Sequence, residues 1–207
     1  MIVDVHTHLA DHAALPPPFF EGWAENVRRL APATLTPSQR DRVAESFKLS
    51  PVDPLGDAHV AEMDAAGIDV SVSLVIDYGL AYPGDVPPLD AVFARHRALA
   101  DRHPGRFLVF AGIDPRRGRG GVELFSHALA RLGFRGLKLY PPCGFSPSDP
   151  ALDPYYALCA EYGVPVLSHV GPSSPRLSFQ HTRPYDLDDA ARRFPTVNFI
   201  LAHATVV

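Results

Sequence analysis

Four of the ten histidines stand where short apolar runs end. His6 and His8 close the run that starts at Ile2, His169 closes Val164–His169, and His203 closes Val197–His203. In an extended segment residues i and i+2 project the same way. His6 and His8 therefore offer two imidazoles to one point, while Thr7 points elsewhere. Neutral imidazole ligates zinc, iron, nickel or manganese, and a catalytic site needs about three protein ligands with one position open. His-x-His alone is a weak signal. With a histidine ending each of two distant strands, it points to one divalent-metal site. His59, His96, His103 and His127 lie in or beside helical patterns with charged neighbours and read as solvated. His12 and His181 fall in loops and are candidate substrate contacts.

Lys138 is the second chemical outlier. It sits in Gly136-Leu137-Lys138-Leu139-Tyr140-Pro141, near the end of an apolar strand. A buried lysine is costly unless paired or neutralised. Three readings stay open: an N-carboxylated lysine bridging two metals, an ammonium that orients a carboxylate, or a structural lysine paired with an acid.

Elements must bring these residues together. Apolar runs at Ile2–His6, Val70–Ile76, Phe107–Ile113, Gly136–Tyr140, Val164–His169 and Val197–His203 alternate little, as in strands buried on both faces of a parallel sheet. Helical patterns lie between them: Asp53–Ala66, Leu89–Arg102, Val122–Leu132, Asp153–Tyr162 with Asp153 as N-cap, and Asp186–Phe194. The strand spacing after residue 69 is that of βα units. In such sheets the C-terminal strand ends share one face, which carries the site. Residues 10–52 break the rhythm. Two helical patterns there, Phe19–Leu30 and Ser38–Leu49, the latter behind a Thr36–Gln39 capping box, predict a helical insertion after strand 1, packed over that face.

Composition narrows the class. The 207 residues suit one domain, with 46 % hydrophobic residues and a net charge of −4. That charge gives no reason to expect nucleic acid or an anionic membrane. The two cysteines, Cys143 and Cys159, form no CxxC pair. No signal peptide or membrane-length apolar run is present, so a cytoplasmic setting is expected. No G-x-G-x-x-G follows the first strand, which disfavours a dinucleotide. Arg116–Gly121 reads as a solvated turn.

With these residues placed, the chain resembles the amidohydrolase superfamily, in the branch that contains aminocarboxymuconate-semialdehyde decarboxylase. The matching pieces are Val3–Leu9, Gly136–Pro141, Gly163–His169, and Phe194-Pro195 leading into Ile200–His203. The resemblance implies an α/β fold of the (β/α)8 TIM-barrel type, of which 1–207 would supply about the first six βα units, with 10–52 as an insertion. It implies His6, His8 and His169 as metal ligands, with His203 and Lys138 as catalytic residues. The expected cofactor is one divalent ion, zinc first, with manganese or iron as alternatives and a second ion if Lys138 is carboxylated. The family's metal-binding aspartate at the end of strand 8 has no counterpart before Val207.

The function expected is hydrolysis of a small-molecule amide, lactone or related bond by metal-activated water, impaired without that aspartate. One alternative is a metal-dependent decarboxylase of a small unsaturated acid, its carboxylate anchored by an arginine; Arg28, Arg29, Arg40 and Arg42 are candidates by location. The other is a non-catalytic remnant that binds metal or a partner. Open sheet edges would invite a homo-oligomer or a complementing C-terminal chain.

Overall fold

The computed structural model describes residues 1–11, 14–46 and 52–205. Six strands form one sheet: β1 (Val3–Thr7), β2 (Val70–Leu74), β3 (Phe107–Gly112), β4 (Gly136–Leu139), β5 (Val166–Ser168) and β6 (Phe199–Leu201). Each is hydrogen-bonded to the next in sequence, and every pair is parallel. Unbroken sequential order is the winding of a (β/α) barrel, since a doubly wound sheet reverses its order midway. The strands are those expected: β1 lies one residue later, and the other five are trimmed at one or both ends.

The helices among the described residues are α1 (Pro17–Leu30), α2 (Pro37–Ser46), α3 (Asp57–Ala66), α4 (Leu89–Arg102), α5 (Gly118–Ala130), α6 (Asp153–Tyr162) and α7 (Asp188–Arg193). The expected capping box opens α2: the Thr36 N–H donates to Gln39 Oε1 at 2.7 Å, and the Gln39 N–H to Thr36 Oγ1 at 3.3 Å. Residues 47–49 of that helical pattern lie outside the described residues.

Several helix starts differ from expectation, α1 and α2 beginning two residues and one residue early. α3 begins at Asp57, because Asp53 caps from a turn upstream, accepting from the N–H groups of Asp57 and His59 at 2.9 Å each. α5 begins at Gly118, four residues early. Arg116 and Arg117 belong to a short 3-10 turn that runs into it; the stretch is exposed at Arg116, Gly118, Arg119 and Gly120, as expected, but from Gly118 it is already helical. Asp153 stands inside α6 rather than capping it, because Asp149 caps a 3-10 turn that leads straight in. The last helix divides into a 3-10 turn (Pro184–Leu187) and α7.

Strand alternation sorts the core into two faces. Val109, Ala111, Leu137, Leu139 and Val166 join the large cluster against the helices, with Phe93, Phe125 and Tyr155. Val72, Leu74, Phe110 and Leu167 form a second cluster on the opposite face, with Ala202. By the same period, Lys138 shares that second face. β2 and β3 pack closely where they leave the sheet: a Cβ on Gly112 would lie 2.1 Å from the Val75 carbonyl oxygen.

The sheet is strongly curled. β1 and β6 are its two edges, with no further strand partner among the described residues. Yet the rings of His6, on β1, and His203, just past β6, lie 4.5 Å apart.

Candidate metal centre

The strand ends do bring the four histidines together. His6 Nε2 and His8 Nε2 are 3.3 Å apart. His203 lies beside His6, and its ring is 4.7 Å from that of His169. Thr7 points away, its hydroxyl donating to the Val72 carbonyl at 2.9 Å. His8 Nδ1 lies 3.0 Å from the Leu74 carbonyl oxygen. A carbonyl only accepts, so Nδ1 carries the proton, and the Nε2 of the neutral ring is a bare lone pair. His203 is the one non-glycine residue at positive φ (65°) among the described residues, and its conformation turns the chain where β6 ends.

Electrostatics keep these rings neutral. Burial, then the Lys138 charge, then neighbouring imidazoles hold His8 down at about 3. His169 falls to about 3 and His6 to about 4, with burial and then Lys138 as the leading causes. His203 is lowered by the same two effects. Neutral imidazole is the form that binds a metal. Lys138 is 1 % exposed, and its Nζ has no hydrogen-bond partner. Burial alone brings its pKa down to about 7. A structural lysine paired with an acid is thereby excluded.

The donor chemistry fits a divalent ion: neutral imidazoles, with two Nε2 atoms sharing one point. Convergence is partial. Among the described residues no group of three His, Cys, Asp or Glu is placed to hold one ion. His169 Nε2 faces the Pro172 carbonyl at 3.3 Å instead. The pair His6 and His8 is therefore the preformed part of the centre.

The histidines line one wall of a cleft of about 580 Å³. The rest of the lining is Leu15, Phe19 and Trp23, from the insertion, with Ile76, Tyr78 and Tyr140. The insertion does cover the strand ends. Its arginines do not serve the cleft: Arg28 pairs with Asp41 and Glu45, Arg29 pairs with Glu25, Arg40 bonds the Leu35 and Pro32 carbonyls, and Arg42 is exposed. His181 is partly buried and does not line the cleft, and His12 lies outside the described residues.

Of the histidines read as solvated, only His127 is exposed. His96 is 3 % exposed on the inner face of α4, with Nδ1 3.0 Å from the Val92 carbonyl. His59 and His103 are half-buried against Phe107. Helical neighbours in sequence do not show which side of a helix a residue occupies.

Beside the site lie two buried carboxylates with no sequence signature. Asp77 takes Arg117 Nε at 2.5 Å and Nη2 at 2.7 Å, and the Asp114 N–H at 2.9 Å. Asp114 pairs with Arg116, whose guanidinium also reaches the Cys143 carbonyl at 2.8 Å. The aromatic lining left a signal that sequence reasoning missed: Tyr140 directly follows β4, and Phe19 and Trp23 are spaced i, i+4 on α1.

Six parallel strands in sequential order, with helices between them and histidines gathered at the strand tips, define an incomplete (β/α) barrel. The amidohydrolase family model matches residues 3–207, and the chain belongs to that family. No curated protein matches it by sequence. Solved structures share its fold. 5-Carboxyvanillate decarboxylase from Novosphingobium aromaticivorans, complexed with manganese and a nitrobenzoic acid, matches at 15 % identity and TM-score 0.63, over 97 % of this chain and 64 % of its own. 2,6-Dihydroxybenzoate decarboxylase from Rhizobium matches at 18 % and 0.56, over 97 % and 66 %. 4-Oxalomesaconate hydratase from Rhodopseudomonas palustris matches at 16 % and 0.55, over 97 % and 62 %. The chain thus spans less than two thirds of the first of these. Among the described residues no helix is long and apolar enough to cross a membrane.

Proposed function

We propose that this chain carries the metal-binding half of a site that decarboxylates a small unsaturated acid. The observation that carries the reading is a cleft lined by four imidazoles and by the rings of Phe19, Trp23, Tyr78 and Tyr140, its imidazoles held neutral by burial and by Lys138. Two of the solved structures that share the fold are decarboxylases, one of them with manganese, which supports lyase chemistry over the hydrolysis expected from sequence.

His6, His8 and His169 would hold a divalent ion, manganese or zinc. When bound, such an ion anchors a carboxylate and polarises the oxygen it holds. The residues supply the rest. The aromatic wall excludes water and fixes the flat part of the acid. Lys138 lies outside the cleft lining and bears on all four imidazoles electrostatically, favouring their neutral, metal-binding form. His203, exposed and neutral at rest, is the group placed to relay a proton taken up from solvent to the carbon that loses CO2. No arginine lines the cleft among the described residues, so the ion would take the carboxylate in place of the arginine expected for a decarboxylase.

Hydrolysis is the second reading, favoured by Lys138 itself, whose strand-4 position is where some amidohydrolases carry a carboxylated lysine. The unpaired edges of β1 and β6 would accept a complementing chain or a second copy, which size-exclusion chromatography reads directly. The deciding experiment supplies manganese or zinc and follows CO2 release from a panel of unsaturated and aromatic acids, against cleavage of amides and lactones. Hydrolysis without CO2 release would sink the decarboxylase reading.

A further inference from the structure

We propose that Asp4 is the positioning residue of the His6 and His8 pair: its carboxylate pins a β-bulge in β1 that turns both imidazoles into the cleft. The proposal rests on the reading of those two histidines as metal ligands.

The bulge lies in the register of β1 on β2. Asp4 stands opposite Ser71 and Thr7 opposite Ser73, so β1 advances three residues where β2 advances two. Residues opposite each other in a sheet share a face, as do residues i and i+2 of one strand. Ser73 pairs onward with Val109, which packs against the helices, so Ser71 and Ser73 lie on the helix side. Asp4 and Thr7 therefore point to that side too, although an unbroken strand would set them on opposite faces. His6 and His8 flank Thr7 and line the cleft. Regular alternation would instead carry Asp4, His6 and His8 together on one face. A slip of one residue, with His6 opposite Ser73, would turn both imidazoles toward the helices.

Asp4 holds the irregularity in place. The extra residue of a bulge drops out of the ladder, and its backbone N–H needs another acceptor. The His6 N–H finds one in Asp4 Oδ1, at 3.0 Å. Its neighbours have side-chain tethers to β2. The Thr7 hydroxyl donates to the Val72 carbonyl at 2.9 Å, and His8 Nδ1 to that of Leu74 at 3.0 Å. The His6 ring has no such tether among the described residues: it meets His8 Nε2 at 3.3 Å and packs on the His203 ring. Its place is thus set through its backbone. Asp4 does not line the cleft, which separates its role from that of a ligand.

The test compares Asp4→Ala, which removes the acceptor, with Asp4→Asn, whose amide oxygen can still take the His6 N–H. Zinc affinity is measured by competition with a chromophoric chelator, and the visible spectrum of bound cobalt(II) reports the ligand geometry. Asp4→Ala is expected to weaken zinc about 10- to 100-fold and to alter the cobalt bands, with Asp4→Asn staying within about threefold and keeping them. Circular dichroism confirms the fold of each variant. Equal losses in the two variants, or an affinity that Asp4→Ala leaves unchanged, would overturn the proposal. Hydrogen exchange of the His6 amide in the unaltered protein needs no variant: protection supports the pin, and exchange at the rate of an unstructured amide overturns it. No zinc or cobalt binding by the unaltered protein removes the metal centre and this inference with it, whereas binding indifferent to Asp4→Ala removes this inference alone.

Discussion

The Nε2 atoms of His6 and His8 face each other at 3.3 Å, and the Nδ1 of His8 is tied to the Leu74 carbonyl at 3.0 Å. A fixed tautomer on one ring thus leaves its lone pair aimed at the partner ring. Two such nitrogens gain most by sharing a cation. Changing a group that only supports a metal ligand costs about 10–100-fold in affinity. His6→Ala and His8→Ala should each cost at least that for manganese or zinc. Metal content after dialysis, measured by plasma emission, checks this. Full retention in both variants would remove the metal centre from the argument.

Lys138 should be a stability liability kept for function. Its Nζ is buried with no partner, and an unsatisfied buried polar group costs about 1–3 kcal/mol. Lys138→Met keeps the length and removes the charge. The variant is expected to melt higher, by about 2–4 °C per kcal/mol for a domain of this size, while turnover falls. A lower Tm would mean that the ammonium has a stabilising partner.

Acid should weaken the fold within a defined window. Unfolded imidazoles titrate at 6.5, whereas His6 waits until about 4 and His8 and His169 until about 3. Between these values the unfolded chain binds more protons, so stability rises with pH. The contribution is complete above pH 6.5 and is lost as pH falls toward 3. Thermal melts from pH 7 to 4.5 should show a steady decline, and His8→Asn should flatten it. A flat profile in the unaltered protein contradicts the lowered values.

Asp77 joins the ends of β2 and β3. It is 5 % exposed and holds Arg117 through two hydrogen bonds. Asp77→Ala strands that guanidinium and frees the Asp114 N–H. Breaking a buried pair costs about 3 kcal/mol at the low end, and Arg117 is partly exposed, so the low end applies. Urea unfolding reads the loss. A change under about 0.5 kcal/mol, typical of surface positions, would show that the pair adds nothing.

The strands and the histidines at their tips were readable in the sequence for one reason. Strand periodicity and βα winding are local patterns, and the barrel rule carries each strand end to a common face. Val70, Phe107 and Gly136 open strands where their apolar runs begin. What escaped depends on three-dimensional approach. Asp77 and Arg117 meet across 40 residues, and His96 turns inward because of how α4 lies on the sheet. The orientation of His169 toward Pro172 is likewise a matter of packing that spacing cannot reveal.

His6 and His203 sit near opposite ends of the described chain with their rings in contact. An ion held by His6, His8 and His169, with His203 packed against His6, would tie β1 to the far side of the sheet, the kind of long-range closure that restricts an unfolded chain most. Metal affinity and the fraying of the first and last strands would then be one equilibrium seen from two sides. Amide protons of β1 and β6 should exchange fastest without metal and slow together when it binds.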